Sequence, residues 1–341
     1  MILVDFSALV FKNIHGLVKS LNPPVVDGKY DAGCMIVPVE NYILNDLMDI
    51  SEEFNDSNIV LCIDDTFSHS WRRDIYPNYK SQRKINRDKT PIPFDQIFPC
   101  INELVDVLDR YTDYKIIKVH GAEGDDCILA LCDAVRDESI VIYSSDKDML
   151  QMQKYPNVRQ YSPILKKFIT YKDKADTLNE WLVEHIVLGD DIDGIPKIFS
   201  ETQFTEEYRE FLKSKGISVT EIEYYNLDES ARLQLEGEFN GEVWKKIRIG
   251  KKTVQKYIKD QTIKSLIESN KLYTDNFRRN KKLILAEFIP DEIKAKCIEL
   301  YNKSKQPDNV KYTEYLTSHG LDFIVSRSPN LVGCMNPMDL W

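Results

Sequence analysis

Carboxylates follow four apolar, strand-like runs in the first half of the chain. The runs occupy residues 2–4, 59–63, 116–119 and 140–143. The carboxylates that follow them are Asp5, Asp64, Asp65, Glu123, Asp125, Asp126, Asp146 and Asp148. In an open α/β sheet, the carboxyl ends of the strands line one ligand-binding crevice. The pattern therefore predicts that these side chains converge in a single acidic cleft.

A cleft of this kind requires cations to be stable. Two like charges about 4 Å apart repel by roughly 1 kcal/mol in water and roughly 4 kcal/mol near a protein surface. Bound metal ions offset this repulsion, and oxygen ligands favour Mg²⁺, with Mn²⁺ as a substitute, over zinc. The alternative is that each aspartate only forms a turn or caps a helix. That alternative fits single positions, but repetition at four strand ends favours a metal centre.

The alternation of side chains along a strand distinguishes between members of this cluster. Successive side chains point to opposite faces, so Asp146 and Asp148 face the same side and can share a metal. By the same rule Asp64, rather than Asp65, is the predicted ligand on its strand. Asp5, at the end of the first strand, is the predicted central ligand.

The segment from Gly189 to Pro196 reads Gly-Asp-Asp-Ile-Asp-Gly-Ile-Pro and adds two further carboxylates. Asp190 and Asp193 are three residues apart, a spacing that places side chains on one face of a helix end. The Gly-Ile-Pro sequence indicates a tight turn whose backbone N–H groups can approach a phosphate. An ordinary Asp-Gly turn is the alternative.

Two segments concentrate positive charge in a chain whose formal net charge is −10. The first combines basic and aromatic residues: Trp71, Arg72, Arg73, Tyr79, Lys80, Arg83, Lys84, Arg87 and Lys89. The second contains basic residues and no acidic one between 245 and 259: Lys245, Lys246, Arg248, Lys251, Lys252, Lys256 and Lys259. Aromatic rings stack on exposed bases, and basic groups bind phosphates. Both segments predict nucleic-acid binding, with a solvated cationic face as the alternative for the first.

Length and composition describe an ordinary globular protein. The 341 residues allow one large or two moderate domains, and 43% of them are hydrophobic. The seven cysteines include no Cys-x-x-Cys pair, which is typical of buried thiols in a reducing cytoplasm. The five histidines lack metal-ligand spacing. No apolar run reaches the length of a membrane span, and strand-like sequence from Ile2 onward leaves no room for a signal peptide.

The predicted architecture is α/β, with a smaller helical domain toward the carboxyl end. Strand-like and helix-like runs alternate over residues 1–175, which predicts a mostly parallel central sheet flanked by helices. The region 176–320 is predicted to be helical. Within it, the strongly acidic segment 197–243 has poor periodicity and is predicted to be a mobile surface insertion; residues 321–341 form a tail. The predicted helices are 95–110, 123–135, 177–188, 251–269, 291–303 and 311–318.

Five strings in the sequence resemble the 5′-nuclease superfamily, which includes flap endonucleases and the 5′-nuclease domains of bacterial DNA polymerases. They are residues 59–64, 71–74, 144–148, 154–158 and 289–293. The likeness is strongest to the ribonuclease H branch found in T-even bacteriophages, and it covers most of residues 1–200 and 245–320. The resemblance implies a two-metal phosphodiesterase that removes RNA primers and DNA ends in the 5′→3′ direction and cuts 5′ flaps.

The resemblance also implies roles for individual residues. One Mg²⁺ would be held by Asp5, Asp64, Glu123, Asp125, Asp146 and Asp148, and Asp126 is a further candidate ligand of this group. The second ion would lie near Asp148, Asp190 and Asp193. Lys80 and Arg83 would act beside the catalytic carboxylates Asp5, Asp64 and Asp146, by neutralising charge on the scissile phosphate. Residues 80–95 would form a helical arch that admits a single strand.

The same resemblance implies the contacts with nucleic acid and with partners. The residues predicted to contact branched or 5′-ended duplex DNA and RNA–DNA hybrids are Arg72, Arg73, Tyr79, Lys80, Arg83, Lys84, Arg87, Lys245, Lys246, Lys251 and Lys252. Segments 194–196 and 248–253 would be the halves of a helix–three-turn–helix element, here separated by roughly fifty residues. A single-stranded DNA-binding protein and a sliding clamp are the implied partners of a monomer. The tail residues Met338, Leu340 and Trp341 either dock on the clamp or pack on the body of the protein.

Two other functions are compatible with parts of the sequence. Aspartyl-phosphate phosphatases also place an aspartate after the first strand, but they pair it as Asp-x-Asp, whereas this chain has Asp5-Phe-Ser7. A structure-specific DNA-binding protein with a decayed site is the non-enzymatic alternative. The complete set of carboxylates argues against a decayed site, and phosphatases need no duplex-binding element, so a 5′-nuclease is favoured over both.

Overall fold

The computed structural model describes residues 1–65, 69–199, 202–219, 223–224, 227–246, 249–328 and 331. The strands in these residues are β1 Ile2–Asp5, β2 Val25–Val26, β3 Lys29–Tyr30, β4 Ile59–Ile63, β5 Lys115–Lys118, β6 Ile140–Tyr143, β7 Val158–Ser162, β8 Lys167–Ile169, β9 Thr202–Phe204 and β10 Trp244–Lys246. The helices of the first half are α1 Phe6–Leu21, α2 Ile36–Phe54, α3 Arg72–Ile75, α4 Ser81–Asp88, α5 Phe94–Tyr111 and α6 Gly124–Ala134. The later helices are α7 Leu178–Leu188, α8 Glu206–Ser214, α9 Glu229–Glu238, α10 Lys251–Lys259, α11 Ile263–Glu268, α12 Lys271–Ile284, α13 Asp291–Asn302, α14 Asn309–Ser318 and α15 Asp322–Arg327.

The central sheet has the strand order β5-β4-β1-β6-β7-β8. The first five strands in this order are mutually parallel, and β8 is antiparallel to β7 at the edge. Apart from Asp5 at the end of β1, strands β1, β4 and β6 are apolar and buried, as expected for parallel strands covered on both faces. The predicted mostly parallel sheet flanked by helices is confirmed.

Two hydrophobic clusters cover the two faces of this sheet. On one face, α1, α2 and α5 bury residues such as Ile14, Ile43 and Leu104 against the strands. On the other face, α6 and α13 pack together, with Ile293 and Cys297 of α13 inside the cluster. The sheet therefore has helices on both faces.

The chain divides into two compact units. The first comprises Met1–Pro77, Ser81–Leu178 and the described residues from Leu285 onward; the second comprises Asn78–Lys80 and Asn179–Ile284. The helical domain predicted over 176–320 thus ends earlier in the structure, at residue 284. The reason is that α13, α14 and α15 bury their apolar faces in the clusters of the first unit.

Most predicted helices occur within two residues of their predicted bounds, but 251–269 forms two helices instead of one. Helix α10 ends at Lys259, and Gln261 adopts a left-handed backbone with φ of 55°. The backbone N–H of Thr262 then donates to the carbonyl of Tyr257. The chain turns there and restarts as α11, a change of direction that an amphipathic pattern alone does not reveal.

None of the helices in the described part of the chain is long and apolar enough to cross a membrane.

The acidic insertion has more regular structure than its sequence pattern predicted. Strands β9 and β10 pair antiparallel, with Lys246 opposite Thr202. Between them α8 and α9 enclose a small cluster made of Phe204, Tyr208, Leu212 and Tyr224. The Tyr208 and Tyr224 hydroxyls share a buried 2.7 Å hydrogen bond. Three aromatic side chains and one leucine form the buried centre of this module, and further partly buried hydrophobic residues pack against them, although the cluster produces little periodicity in the sequence.

Candidate active site

Asp5, the predicted central metal ligand, also has a structural role. It is the last residue of β1 and the N-cap of α1, and its Oδ1 accepts the backbone N–H of Ala8 at 3.0 Å. Its other oxygen accepts the Ser144 hydroxyl at 2.9 Å, and Ser144 is fully buried at the end of β6. The Ser144 hydroxyl oxygen also accepts the Asp146 backbone N–H at 3.1 Å. A buried serine, which the sequence analysis missed, therefore links the carboxylate-bearing ends of two neighbouring strands.

Gly124 brings the start of α6 against the end of β4. Its backbone N–H donates to Asp64 Oδ1 at 2.6 Å. A Cβ atom at this position would lie 2.9 Å from the Cys62 carbonyl oxygen and 3.2 Å from Asp64 Oδ1. Only glycine allows this approach. Asp65 accepts the Gly121 backbone N–H at 3.1 Å, and the choice of Asp64 over Asp65 as the metal ligand stays a prediction.

Arg72 is surrounded by the carboxylates of the α6 amino terminus. Its guanidinium lies 2.8 Å from an Asp126 oxygen, and 3.3 Å and 3.9 Å from oxygens of Glu123 and Asp125. Those three acidic residues each offer an oxygen within 4.8 Å of the others, and Arg72 is only 4% exposed. The structure thus places the Arg72 guanidinium among carboxylates, and its predicted contact with nucleic acid stays a prediction. One delocalised cation with a rigid donor fork offsets the repulsion of several carboxylates.

Asp126 is held by contacts of its own. It is fully buried, and its Oδ2 accepts the Trp71 indole N–H at 3.0 Å and the Glu123 backbone N–H at 3.0 Å. The second of these bonds is half of a capping box at the start of α6. These contacts favour a capping role for Asp126, while Glu123 and Asp125 are partly exposed. Its predicted role as a metal ligand stays a prediction.

The turn that carries Asp146 and Asp148 is fixed by a buried glutamine. Asp146 Oδ1 accepts the Asp148 backbone N–H at 2.8 Å. The side-chain amide of Gln160, 1% exposed on β7, donates to the carbonyls of Ser144 at 2.9 Å and Asp146 at 2.6 Å. A polar residue at the centre of a buried strand was the available signal for this role.

Burial raises the pKa of the Cys62 thiol on β4 well above its usual value, so this thiol is neutral and only occupies space beside the site.

In the second unit, the loop around Asp190 is closed by backbone bonds. Asp190 and Ile195 exchange N–H to carbonyl bonds of 2.8 Å and 2.7 Å. Gly189 has φ of 65°, and a Cβ there would lie 2.2 Å from the Ile195 carbonyl oxygen, so no other residue fits. A ring nitrogen of the buried His185 lies within 4.8 Å of an Asp190 carboxylate oxygen. His185 is a candidate ligand that the sequence analysis missed, because it treated the histidines as scattered.

The side chain of Asn280 supports the loop around Asp190. It is fully buried on α12, and its amide donates to the carbonyls of Ile186 at 2.9 Å and Pro196 at 2.7 Å. The residues before and after Asp190 are thus tied to one side chain about ninety positions later in the sequence. No local pattern in the sequence indicates such a connection.

Tyr79 occupies a different place from the one predicted. It is 1% exposed, and its hydroxyl donates to Asp193 at 3.2 Å. A ring buried in this way has no free face on which a base could stack, so the predicted base contact is wrong. Lys80, the next residue, places Nζ 3.7 Å from the Asp193 carboxylate. These contacts explain why Asn78–Lys80 belongs to the second unit.

The remaining predicted DNA contacts fall into two groups. On α3 and α4, Arg73 and Arg83 are exposed, and the Arg87 guanidinium lies 6.0 Å from the ring centre of Phe98. In the second unit, Lys252 is exposed and Lys251 pairs with Glu184 at 2.9 Å. The side chains of Lys84, Lys245 and Lys246, the whole of Arg248, and the tail residues Met338, Leu340 and Trp341 lie outside the described residues.

Residues that flank the two predicted halves of the helix–three-turn–helix element share one hydrophobic cluster. Val187, Ile198 and Phe199 pack there with Val254 of α10 and Tyr273 of α12. The element itself stays a prediction. The predicted second metal group also stays a prediction, because Asp148 belongs to the first unit and Asp190 and Asp193 belong to the second.

Comparison with known proteins decides the family. The family model described as "5'-3' exonuclease, N-terminal resolvase-like domain" matches residues 1–182. The chain belongs to the 5′-3′ exonuclease family. A second model, "T4 RNase H, C terminal", matches residues 236–329 of this 5′-3′ exonuclease family member. The predicted 5′-nuclease resemblance is therefore confirmed.

Individual relatives agree with this assignment. The chain is 28% identical over 269 residues to ribonuclease H of Enterobacteria phage T4, covering 78% of this chain and 76% of the relative. It is 33% identical over 107 residues to a 5′-3′ exonuclease of Mycoplasmopsis pulmonis, covering 31% and 33% of the two chains. The solved structure of T5 5′-exonuclease with bound zinc matches with a TM-score of 0.52 at 13% identity, covering 93% of this chain and 98% of that one. This structural likeness shows the fold, and the family shows an enzyme that hydrolyses phosphodiester bonds as a 5′-nuclease.

Proposed function

We propose that the protein is a Mg²⁺-dependent 5′→3′ exonuclease and 5′-flap endonuclease that removes RNA primers during lagging-strand DNA replication. Its substrates would be DNA–DNA and RNA–DNA duplexes with a 5′ end or branch. The observation that carries this proposal is the position of Asp5, Asp64 and Asp146 at the ends of three adjacent parallel strands. Related proteins named ribonuclease H and flap endonuclease support it.

The donor set of the first unit fits a hard divalent cation. All candidate side chains there are carboxylates, which suit Mg²⁺ or Mn²⁺, and the contacts of Ser144, Gly124 and Gln160 hold the residues that carry them in place. The residues that would hold metal are Asp5, Asp64, Glu123, Asp125, Asp146 and Asp148, with Asp190 and Asp193 for a second ion. When bound, two such ions activate a water molecule and stabilise the leaving oxygen of an in-line displacement.

The protein's own residues would position the substrate and compensate its charge. Lys80 and Arg83 would face the scissile phosphate and offset the negative charge that develops on it. Arg72 would keep Glu123 and Asp125 in place by its short contacts with the group. Ser144 would keep the Asp5 and Asp146 ends in register. A carboxylate set held in this way loses little free energy to reorganisation during the reaction.

Basic side chains in both units would bind the nucleic acid. Lys251 and Lys252 would bind duplex phosphates at the start of α10, and Arg73, Arg83 and Arg87 would bind the strand near the arch. Such contacts give affinity without sequence preference. A single-stranded DNA-binding protein and a sliding clamp would recruit the enzyme in the host cytoplasm, where it would act as a monomer.

A cleavage assay tests the proposal directly. The substrates are a 5′-labelled flap and an RNA-primed duplex, each incubated with Mg²⁺, with Mn²⁺ and with a chelator. We expect short 5′ products from both substrates with either metal and none with the chelator. Cleavage that persists in the chelator, or the absence of cleavage of both substrates, would contradict the proposal.

A further inference from the structure

Asp193 binds the segment that carries Lys80 through both its backbone and its side chain. The Asp193 carbonyl accepts the Lys80 backbone N–H at 2.8 Å. Its carboxylate lies 3.2 Å from the Tyr79 hydroxyl and 3.7 Å from Lys80 Nζ. The Lys80 ammonium also lies 5.1 Å from the centre of the Tyr79 ring, within the range of a cation–π contact. All of these contacts lie inside the second unit.

The conformation of Lys80 shows that its surroundings determine its position. Lys80 has φ of 53°, a left-handed backbone that a residue with a side chain retains when neighbouring contacts impose it. The side chains of Lys80 and Asp193 are each only 12% exposed. Charges in such surroundings interact more strongly than on an open surface. Gly194, with φ of 71°, allows the Asn78 carbonyl to approach closely, which brings the two segments together.

We infer that Asp193 is a positioning residue for Lys80, and that the Lys80 ammonium competes with a divalent cation for the Asp193 carboxylate. This inference rests on the proposed function, in which Asp193 is a metal ligand and Lys80 acts on the phosphate. Without the cation, Lys80 stays paired with Asp193 beside the Tyr79 ring. Lys80 leaves the carboxylate when a cation binds there, and the backbone bond to Asp193 keeps the residue in place. The lysine is then available to a phosphate only when the metal site is filled.

Mn²⁺ binding in the absence of nucleic acid tests this competition. Free Mn²⁺ is measured by electron paramagnetic resonance during titration of wild type, K80M, K80R and R83M, and of D193N with and without K80M. Loss of the competing charge in K80M is expected to tighten Mn²⁺ binding at the Asp193 carboxylate by roughly three- to tenfold. K80R keeps the charge and should stay within about twofold of wild type. R83M removes a charge at the neighbouring helix α4 and is the matched control.

The pattern across the variants separates competition from general charge repulsion. The inference holds if K80M tightens Mn²⁺ binding clearly more than R83M does, and if the gain disappears in the D193N background. Equal effects of K80M and R83M, or an effect of K80M that survives D193N, would overturn it. Thermal unfolding of each variant checks that it folds, and if D193N does not, the comparison of K80M, K80R and R83M decides. The Mn²⁺ titration contains no substrate, so its outcome is independent of the cleavage assay. If the wild type cleaves DNA but the variants lack the expected Mn²⁺ pattern, only the competition is rejected. If the wild type does not cleave, only the proposed function is rejected.

Discussion

The two acidic groups of this molecule are positioned by different means. Asp5, Asp64 and Asp146 follow or end adjacent parallel strands, and the backbone ladder of the sheet sets the spacing of those strand ends. Asp190 and Asp193 lie in a loop that is closed by its own backbone bonds and supported by the distant Asn280. The first group depends on regular secondary structure, and the second depends on a few irreplaceable contacts.

This difference determines how each group should respond to substitution. A sheet is held by many bonds, so a change at one strand end should alter the chemistry and leave the fold intact. A loop held by one buried amide and two glycines should lose its shape when any of them is changed. The two groups should therefore differ in the ratio of lost activity to lost stability.

Asp146→Asn should give the largest effect on activity. It removes a predicted metal ligand at a strand end, and we expect cleavage to fall by at least about 10³-fold with DNA binding nearly intact, because charge stabilisation in the transition state is lost. Single-turnover cleavage and a filter-binding titration measure the two properties. Asp106→Asn, an exposed position on α5, is the control and should cleave like wild type. Substantial Mg²⁺-dependent activity in D146N would remove Asp146 from the site.

Asn280→Ala should give the largest loss of stability. It leaves two buried carbonyls without their amide donor, at a cost of about 2–4 kcal/mol in the free energy of unfolding. Urea denaturation measures this loss. Asn276→Ala removes two partly buried bonds, one to the Ile198 carbonyl and one from Arg279, and it should cost clearly less because only one carbonyl loses its donor. If the two variants were equally stable, Asn280 would not be the support of the loop.

Gly124→Ala should fall between these cases. The added methyl group meets the Cys62 carbonyl oxygen, and overpacking of this kind costs about 1–3 kcal/mol of stability. The start of α6 must move away from Asp64, so cleavage should fall as well. Gly16→Ala is the matched control, because no atom lies within 4 Å of that Cβ and alanine in the interior of α1 should stabilise the protein by up to about 1 kcal/mol. Thermal unfolding and cleavage rates compare the pair.

Lys252→Met should have the smallest effect. Removal of one phosphate contact is expected to weaken duplex binding at low salt and to reduce the slope of log affinity against log salt by about 1. Lys251→Met should reduce it less, because Lys251 is already paired with Glu184 at 2.9 Å. Fluorescence anisotropy at several salt concentrations measures the slopes. Unchanged slopes in both variants would place the duplex contact elsewhere.

The sequence was sufficient for the strand-end group and insufficient for its supports. Apolar runs followed by carboxylates identify strand ends, because such runs depend on local geometry. The roles of Ser144, Gln160 and Asn280 depend on contacts between residues far apart in the chain. Tyr79 illustrates the same limit, since an aromatic beside a lysine looks like a base-stacking residue until its burial is known.

The domain boundary and the insertion were hard to predict for a related reason. An amphipathic helix such as α13 shows that it has a partner, but its pattern does not say which core it joins. The acidic module between β9 and β10 is organised by four side chains around two tyrosine hydroxyls. So small a cluster leaves no repeated pattern in the sequence. Cooperative contacts of this kind become visible only with coordinates.

The pairing of β9 with β10 has a consequence for how this protein can change over time. Residues opposite each other in an antiparallel pair have Cα atoms about 5 Å apart, and Thr202 stands opposite Lys246. The chain therefore leaves and re-enters the β9–β10 pair at nearly the same point, whatever the length of the segment between these strands. Evolution or an engineer can lengthen, trim or swap that excursion while its two anchor points keep their separation.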